Sequence, residues 1–349
     1  MTEKANPAEG TEPARKWIAE RIARLDPYKD YAEIWRLSTT YRSSEFQRHW
    51  MYAFNFPHFM ITTWGAETVY REGNGKIIKR DERRVADTTG HTAIWSEHGP
   101  DSPVTRRSAE VVNKLHAHWA KKYPGAFSYA DDYVYLFSFE ACMMDGVVRS
   151  LGLPGYSENQ KIAAHLFWSK LAALFTVEDG RPVPEAMALP ESFEAMEEFR
   201  REYENRSWPD NPVGEAAVGA ILDQFATRWF PRLLQPLGRT MITTFFSPGM
   251  RRVLGIPTPS PALDAAARTA MKARFLAARL QADPTVSGPD RRRLQATAQG
   301  SASGAVDVAV HRALHENARG LDFDVSCPHA PVPLRSRNGS AVEAVDQPL

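Results

Sequence analysis

The sequence has few cysteines, and their positions exclude the usual uses of paired thiols. Only Cys142 and Cys327 occur in 349 residues, and neither lies in a CxxC pair or at a spacing typical of zinc ligands. A disulfide-stabilised scaffold and a structural zinc site are therefore not expected. Sparse, unpaired cysteines are typical of proteins in a reducing compartment, so we expect a cytoplasmic protein.

Long hydrophobic runs and a targeting signal are also missing. No stretch reaches the roughly 18 consecutive apolar residues that a membrane-spanning helix needs. The polar first residues, MTEKANPAEGTEPARKW, lack the apolar core of a secretory signal. The most apolar segment, KIAAHLFWSKLAALF (161–175), contains His165, Ser169 and Lys170 and is typical of a buried helix. We therefore expect no transmembrane segment.

Neither sign of charge is in excess. The 43 lysines and arginines against 42 acidic residues give a net charge of +1, whereas dedicated nucleic-acid binders normally carry a basic surplus. We therefore expect no nucleic-acid partner. The motifs GxSxG, HExxH and paired ExxH are absent too, which argues against a serine hydrolase, a zinc protease and a ferritin-like di-iron site.

Alternating strand patterns are nearly absent, and apolar residues instead recur with a period of 3.6. The sequence predicts an all-α fold with one helical domain over residues 11–282, preceded by a flexible N-terminus over 1–10. Small, polar and charged residues after Asp283 predict a largely flexible tail over 283–349, with a weak helix at 305–318. The helices predicted in the domain span 11–25, 28–37, 43–54, 81–97, 104–122, 130–150, 158–177, 190–205, 214–234 and 260–281.

Two histidines lie two residues apart in VVNKLHAHW (111–119), within a predicted helix that follows the turn and cap residues GPDSPVT (99–105). On a helical wheel, His118 lies about 160° from His116 and points to the helix flank. The two cannot share a metal ion, because a helix needs i, i+3 or i, i+4 spacing for that. His116 falls in an apolar stripe formed by Val112, Leu115, Trp119 and Tyr123.

An inward-facing imidazole has two interpretations. His116 is either a core histidine with hydrogen-bonded ring nitrogens or an axial ligand of haem iron. The second role needs one neutral imidazole that projects into an apolar slot, with an acceptor that fixes its tautomer. His165 in the apolar run 161–175 is a weaker candidate for the same role.

The preceding helix carries polar residues on one face. In KRDERRVADTTGHTAIW (79–95), Arg84, Thr88, His91 and Trp95 recur along that face, and Asp87 lies beside them. One interpretation is a structural salt-bridge network of arginine, aspartate and histidine. The other is the polar wall of a pocket, in which Arg84 holds an anion or propionate while Thr88 and His91 donate hydrogen bonds to bound oxygen.

Together, these segments resemble the MpaB/rubber-oxygenase (latex-clearing protein) catalytic-domain family. The resemblance extends over about residues 50–280 and rests on the order and spacing of short motifs. In chain order these are FNFPHFMITTWGAETVYREG (54–73), RRVADTTGH, NKLHAHW, YADDYVYLFSFEACMM (129–144) and FWSKLAALFTVEDGRPVPEAMALPESFEAMEEFRREYENR (167–206).

The resemblance implies an all-helical haem b protein that oxidises its substrate with O₂. By motif position it assigns the proximal iron ligand to His116 and the distal side to Arg84 and Thr88. Rubber-cleaving members have a lysine before this threonine, whereas Asp87 resembles the fungal branch, so rubber is not the expected substrate. Glu67 lies near the position of an acidic residue that acts as a base in rubber oxygenases, and a surface glutamate is the alternative.

We therefore expect a haem b-dependent oxygenase for a hydrophobic, prenylated or otherwise unsaturated substrate and O₂. One alternative is a non-catalytic helical protein that retains the fold and binds a hydrophobic ligand or a partner chain. Another is a haem protein with a peroxidase-like or sensory role. The expected site residues are His116 as the metal ligand, Arg84 as a cofactor-binding residue, and Arg84, Thr88, Asp87, His91 and Glu67 as catalytic residues.

Overall fold

The computed structural model describes residues 15–299, with side chains to Leu294, and confirms the all-α prediction. Within this range, helices are joined by short turns and no β-sheet is present. Short 3-10 helices span Phe56–Met60 and Arg232–Leu234. The α-helices are α1 Trp17–Arg24, α2 Tyr31–Thr39, α3 Glu45–Asn55, α4 Thr63–Tyr70, α5 Lys76–Lys79, α6 Asp81–His98, α7 Pro103–Ala120, α8 Ala130–Ser150, α9 Glu158–Ala172, α10 Val183–Ala186, α11 Phe193–Glu204, α12 Pro212–Trp229, α13 Gln235–Thr243, α14 Pro248–Val253, α15 Pro261–Leu280 and α16 Gly288–Gln299.

Helix α8 lies at the centre because it is apolar on both sides. Tyr135, Phe139 and Met143 pack into an apolar cluster with α3, α12 and α13. Val134 and Phe137 pack into a second cluster with α2 and α9. A helix that is hydrophobic around most of its circumference is stable only when it is buried. The remaining face of α8 lines the cavity described below.

The turn between α6 and α7 has the signals expected from GPDSPVT. Gly99 ends α6 with a φ of 74°, a conformation that favours glycine. The Ser102 side chain then accepts a hydrogen bond from the backbone N–H of Val104, and Pro103 occupies the first turn of α7. This compact connection packs the polar face of α6 close to the apolar stripe of α7.

Several helices differ from the sequence-based prediction. The helix predicted over 214–234 ends at Trp229, because Phe230 precedes Pro231 and adopts an extended conformation. The short helices α4, α5, α10, α13 and α14 are not predicted, since four to nine residues contain too few turns to show a helical period.

Helix α16 lies where the sequence predicts loose chain after Asp283. Its contacts are polar: the Gly288 N–H donates to the carbonyl of Thr40, and Arg291 donates to the carbonyl of Tyr41. The periodicity of apolar residues cannot predict a helix that is held by polar contacts. The flexible N-terminus predicted over 1–10, the weak helix predicted at 305–318 and the part of the predicted 283–349 tail from residue 300 onward lie outside the described residues. Across 15–299, no helix combines the length and hydropathy needed to span a membrane.

Asn211 offers a test of how the packing of α12 depends on one buried side chain. Its Oδ1 accepts the Gly214 N–H at 2.9 Å, and its Nδ2 donates to the Met60 carbonyl at 2.8 Å. Asn211→Ala removes this cap and leaves a buried carbonyl unpaired, so we expect the free energy of unfolding to fall by about 2–3 kcal/mol.

Chemical denaturation followed by circular dichroism measures this loss. Ser260→Ala is the matched control, because Ser260 caps α15 at an exposed position. We expect it to cost about 1 kcal/mol or less. Equal losses in the two variants would contradict the account.

Candidate functional site

A cavity of about 760 Å³ lies among α3, α4, α6, α7 and α8. This volume falls within the range of about 300–1,000 Å³ that is typical of small-molecule sites. Its walls are largely apolar and aromatic, and the apolar residues of α7 face into it. Four of them are Val111, Val112, Leu115 and Trp119. The stripe that the sequence predicts on α7 therefore faces a binding space as well as packed protein.

His116 lines this cavity with a fixed ring. Its Nδ1 lies 3.2 Å from the hydroxyl of Tyr133, and its ring stacks on Phe127 with centroids 4.5 Å apart. Among the described residues, Nε2 has no hydrogen-bond partner. His118 is exposed and also lines this cavity, so the helical wheel was wrong to expect that the two histidines could not face the same pocket.

The electrostatic surroundings keep His116 neutral. Burial and, after it, the positive charge of Arg84 lower the pKa of His116 to about 4. Burial also raises the pKa of the Tyr133 phenol, so its hydroxyl stays protonated at neutral pH. An uncharged imidazole with one nitrogen held by a phenol has the protonation state that a metal ligand requires.

Polar contacts fix α7 against its neighbours. The Ser108 hydroxyl accepts the indole N–H of Trp95 at 2.9 Å and is hydrogen-bonded to Nδ1 of His91 at 2.7 Å. Nearer the C-terminal end of α7, the Asn113 amide donates to the Leu174 carbonyl at 2.8 Å. These contacts restrain the rotation of α7 and with it the direction of the His116 ring.

The structure places four predicted residues of α6 on one wall of the cavity. Arg84, Thr88, His91 and Trp95 all line it, at the spacing that defines one helical face. His91 reaches α7 through Ser108. The polar side chains of this wall share one enclosed space with His116.

Arg84 and Arg71 form a positively charged part of this wall. The Arg84 guanidinium stacks over Phe56 at 4.4 Å, and that of Arg71 lies 3.3 Å from the ring centre of Trp119. Burial and, secondarily, the charge of Arg84 lower the pKa of Arg71 to about 10. No carboxylate among the described residues pairs with either arginine. Two adjacent guanidinium groups of this kind suit an anionic ligand.

Asp87 also lines the cavity, but its charge is compensated. Its carboxylate pairs with Lys76 and with Arg83, each at 2.9 Å. These two cations, rather than Arg84, are its ion-pair partners in the described structure. Asp87 therefore positions neighbouring side chains without contributing an isolated negative charge.

The expectation for Glu67 requires correction. Glu67 is exposed and does not line the cavity. The next two residues of α4, Thr68 and Val69, line it instead, because each step along a helix turns the side chain by about 100°. A base near the other site residues is therefore not supplied by Glu67.

The sequence analysis missed Glu140, Asn55 and His58, which also line the cavity. Glu140 lies on α8 and accepts hydrogen bonds from the Asn55 amide at 3.1 and 3.2 Å. His58 lies on the first 3-10 helix, with its Nδ1 2.6 Å from the Tyr135 hydroxyl. Their signal was the presence of polar residues within the otherwise apolar runs FNFPHFM and LFSFEACMM. His165 bonds to the Pro190 carbonyl and does not line the cavity.

The residues present fit a haem group. His116 provides one neutral imidazole beside an apolar space, and Arg71 and Arg84 provide cations for carboxylates. No cluster of three or more metal-ligating side chains occurs in the part of the chain that the structure describes. A single histidine is sufficient to hold haem iron, because the porphyrin itself supplies nitrogen ligands to the metal.

The buried carboxyl of Glu140 in the cavity wall should make the free energy of unfolding depend on pH. Burial raises the pKa of Glu140 from 4.5 to about 7, against a lowering effect of Asn55. A carboxyl whose pKa is higher in the folded chain than in the unfolded chain stabilises the fold. This contribution is complete below the unfolded pKa of 4.5 and is lost as the pH rises from 4.5 through 7. Glu140→Gln does not titrate, so its stability relative to wild type should increase by about 2 kcal/mol between pH 5 and pH 8.

Urea denaturation at the two pH values measures the difference. Glu202→Gln, at an exposed position of α11, controls for loss of a carboxylate at the surface. A constant difference between Glu140→Gln and wild type across this range would show that the carboxyl is not buried as described.

Comparison with known proteins gives one positive result. Residues 68–282 match the family described as ER-bound oxygenase mpaB/B'/Rubber oxygenase, catalytic domain. The match includes α6, α7 and α8 in full and ends before α16. No curated protein matches the chain.

Proposed function

The chain belongs to the mpaB/rubber oxygenase catalytic-domain family, and from this premise we propose that it is a haem b-dependent oxygenase. Its substrates would be O₂ and a hydrophobic, prenylated or otherwise unsaturated molecule. The observation that carries the proposal is the neutral imidazole of His116, which lines a largely apolar cavity while Tyr133 holds its other nitrogen.

His116 would bind the iron through Nε2. Tyr133 would then accept a hydrogen bond from Nδ1–H and so fix the tautomer that leaves a lone pair on Nε2. Arg71 and Arg84 would hold the haem carboxylates by charge-assisted hydrogen bonds. When bound, haem supplies an iron centre that activates O₂.

The remaining wall residues would act on oxygen and substrate. The guanidinium of Arg84 and the hydroxyl of Thr88 can donate hydrogen bonds into the cavity, and such donors stabilise developing negative charge where water is excluded. His91 is held by Ser108 and would position the substrate or donate a further hydrogen bond. Leu115, Phe127 and the other apolar side chains would exclude water and accept an apolar chain.

The two histidines of α7 form a matched pair for testing iron binding. His116→Ala should abolish haem binding, whereas His118→Ala should retain it, because only the first imidazole is held by Tyr133. Pyridine haemochrome analysis of protein purified after haem supplementation measures the bound haem. Loss of haem in His118→Ala alone would reverse the assignment.

Tyr133 tests how the ligand is oriented. Tyr133→Phe keeps the ring but removes the hydroxyl, so haem should still bind, with an affinity about 10–100-fold lower. Competition for haem between each variant and an apo-haemoprotein measures the affinity.

Oxygen-electrode measurements with an unsaturated terpene test the reaction itself. Haem binding without O₂ consumption for any olefin would favour a sensory or peroxidase-like role, and binding of the terpene without haem would favour a non-catalytic carrier.

A further inference from the structure

Glu140 is an unusual group in the wall of a mostly apolar cavity. Its carboxyl is hydrogen-bonded by the Asn55 amide, and no cation among residues 15–294 pairs with it. It takes no part in the function proposed above. A carboxyl in such a place is costly unless a ligand or a proton satisfies it.

His58 adds a second polar atom of the same wall. The Glu204 carboxylate accepts hydrogen bonds from Arg200 at 3.0 Å and from the Tyr135 hydroxyl at 3.3 Å. Because Tyr135 uses its proton in this way, Nδ1 of His58 must be the donor in its 2.6 Å contact with Tyr135. The opposite nitrogen, Nε2, is therefore an acceptor, and it is buried without a partner.

Asn55 and His58 both contact helix α8 and line the cavity. Asn55 ends α3, and the 3-10 helix Phe56–Met60 follows at once. Asn55 contacts Glu140 and His58 contacts Tyr135, so both side chains reach α8. Nδ2 of Asn55 is used by Glu140, and its Oδ1 is a further buried acceptor without a partner.

The charges of the cavity restrict what this wall can bind. Six cationic side chains line the cavity against three carboxyls, Asp87, Asp132 and Glu140, which disfavours a cationic ligand. Glu140 itself disfavours an anionic group next to it. The remaining match is a neutral group that donates a hydrogen bond. The cationic residues are Arg48, Arg71, Lys76, Arg84, Lys114 and Arg292.

We propose that Glu140, Asn55 and His58 form a subsite that binds the hydroxyl group at one end of an otherwise apolar substrate. The hydroxyl donates its one hydrogen bond to Glu140, while the buried, unpartnered acceptors of Asn55 and His58 disfavour an ether or carboxylate oxygen at the same place. The inference rests on the proposed function only in calling this ligand a substrate, since binding requires neither iron nor O₂.

The position of Glu140 on α8 also orients the ligand. Glu140 follows Tyr133 by seven residues, so the two share one face and lie about 10 Å apart along the helix. Leu136 lies between them and lines the cavity. A substrate anchored by its hydroxyl at Glu140 therefore extends past Leu136 toward His116, where an unsaturated bond of the chain would lie.

Isothermal titration calorimetry with farnesol, farnesyl methyl ether and farnesene tests the subsite. The three have similar apolar chains, but only the alcohol can donate a hydrogen bond. The titrations are made at about pH 9, where a carboxyl with a pKa of about 7 is ionised and cannot donate to the ether. We expect wild-type protein, supplemented with haem, to bind the alcohol about 10–100-fold more tightly than the ether, which is the typical effect of a hydrogen bond to a charged group. Glu140→Leu should reduce this ratio to within about twofold.

Two variants control the measurement. Leu136→Ala removes an apolar contact from the same cavity, so it should weaken alcohol and ether alike and leave their ratio unchanged. Glu140→Gln has nearly the same shape as glutamate and excludes misfolding as the cause of a changed ratio. Because glutamine donates as well as accepts hydrogen bonds, it should bind the ether more tightly than wild type does.

The outcomes separate this proposal from the proposed function. Equal affinities of wild type for alcohol and ether, or an unchanged ratio in Glu140→Leu, would overturn the subsite whether or not the protein consumes O₂. Tighter binding of farnesoic acid than of farnesol would place the polar end at Arg71 and Arg84 and would overturn it as well. A preserved ratio in a protein that binds no haem would support the subsite and refute the oxygenase.

Discussion

The burial of α8 between two apolar clusters is the constraint on which the site depends. Because Phe139 and Met143 pack on one side and Val134 and Phe137 on the other, the helix has little freedom to rotate. Its third face therefore presents fixed polar groups to the cavity. Tyr133 holds His116 at one end of this face, and Glu140 lies two turns away at the other. Helical geometry thus sets the distance between Tyr133 and Glu140, and the packing of α8 fixes the direction of both side chains.

The walls of the cavity around α8 differ in charge. Helix α6 and the end of α4 contribute cations, of which Arg71 and Arg84 have no carboxylate partner in the described structure, while the acid Asp87 is neutralised by Lys76 and Arg83. Burial and, after it, the charge of Arg84 in this wall keep the His116 imidazole neutral, and the wall suits an anionic group. Glu140 is hydrogen-bonded by Asn55 and has no cation partner among the described residues, so its part of the wall suits a neutral polar group. An apolar ligand that lies between the two walls would be oriented by its ends.

The sequence predicted the parts of this arrangement that repeat with a helical period. The inward position of His116 and the shared face of Arg84, Thr88 and His91 follow from 3.6-residue periodicity, and the turn at 99–105 follows from its glycine, serine and proline. Glu67 was misplaced because a loose alignment cannot resolve the 100° between adjacent helical positions. Glu140 and His58 were missed because one polar residue in an apolar run does not reveal which cavity it borders. The polar contacts of α16 leave no pattern in the sequence.

The central claim is that the His116 imidazole can bind haem iron from within this cavity. The most direct test is the absorption spectrum of the purified wild-type protein after haem supplementation and removal of free haem. The account predicts a Soret band whose intensity corresponds to about one haem per chain. This band should shift when dithionite reduces the iron. A spectrum without a Soret band would contradict it.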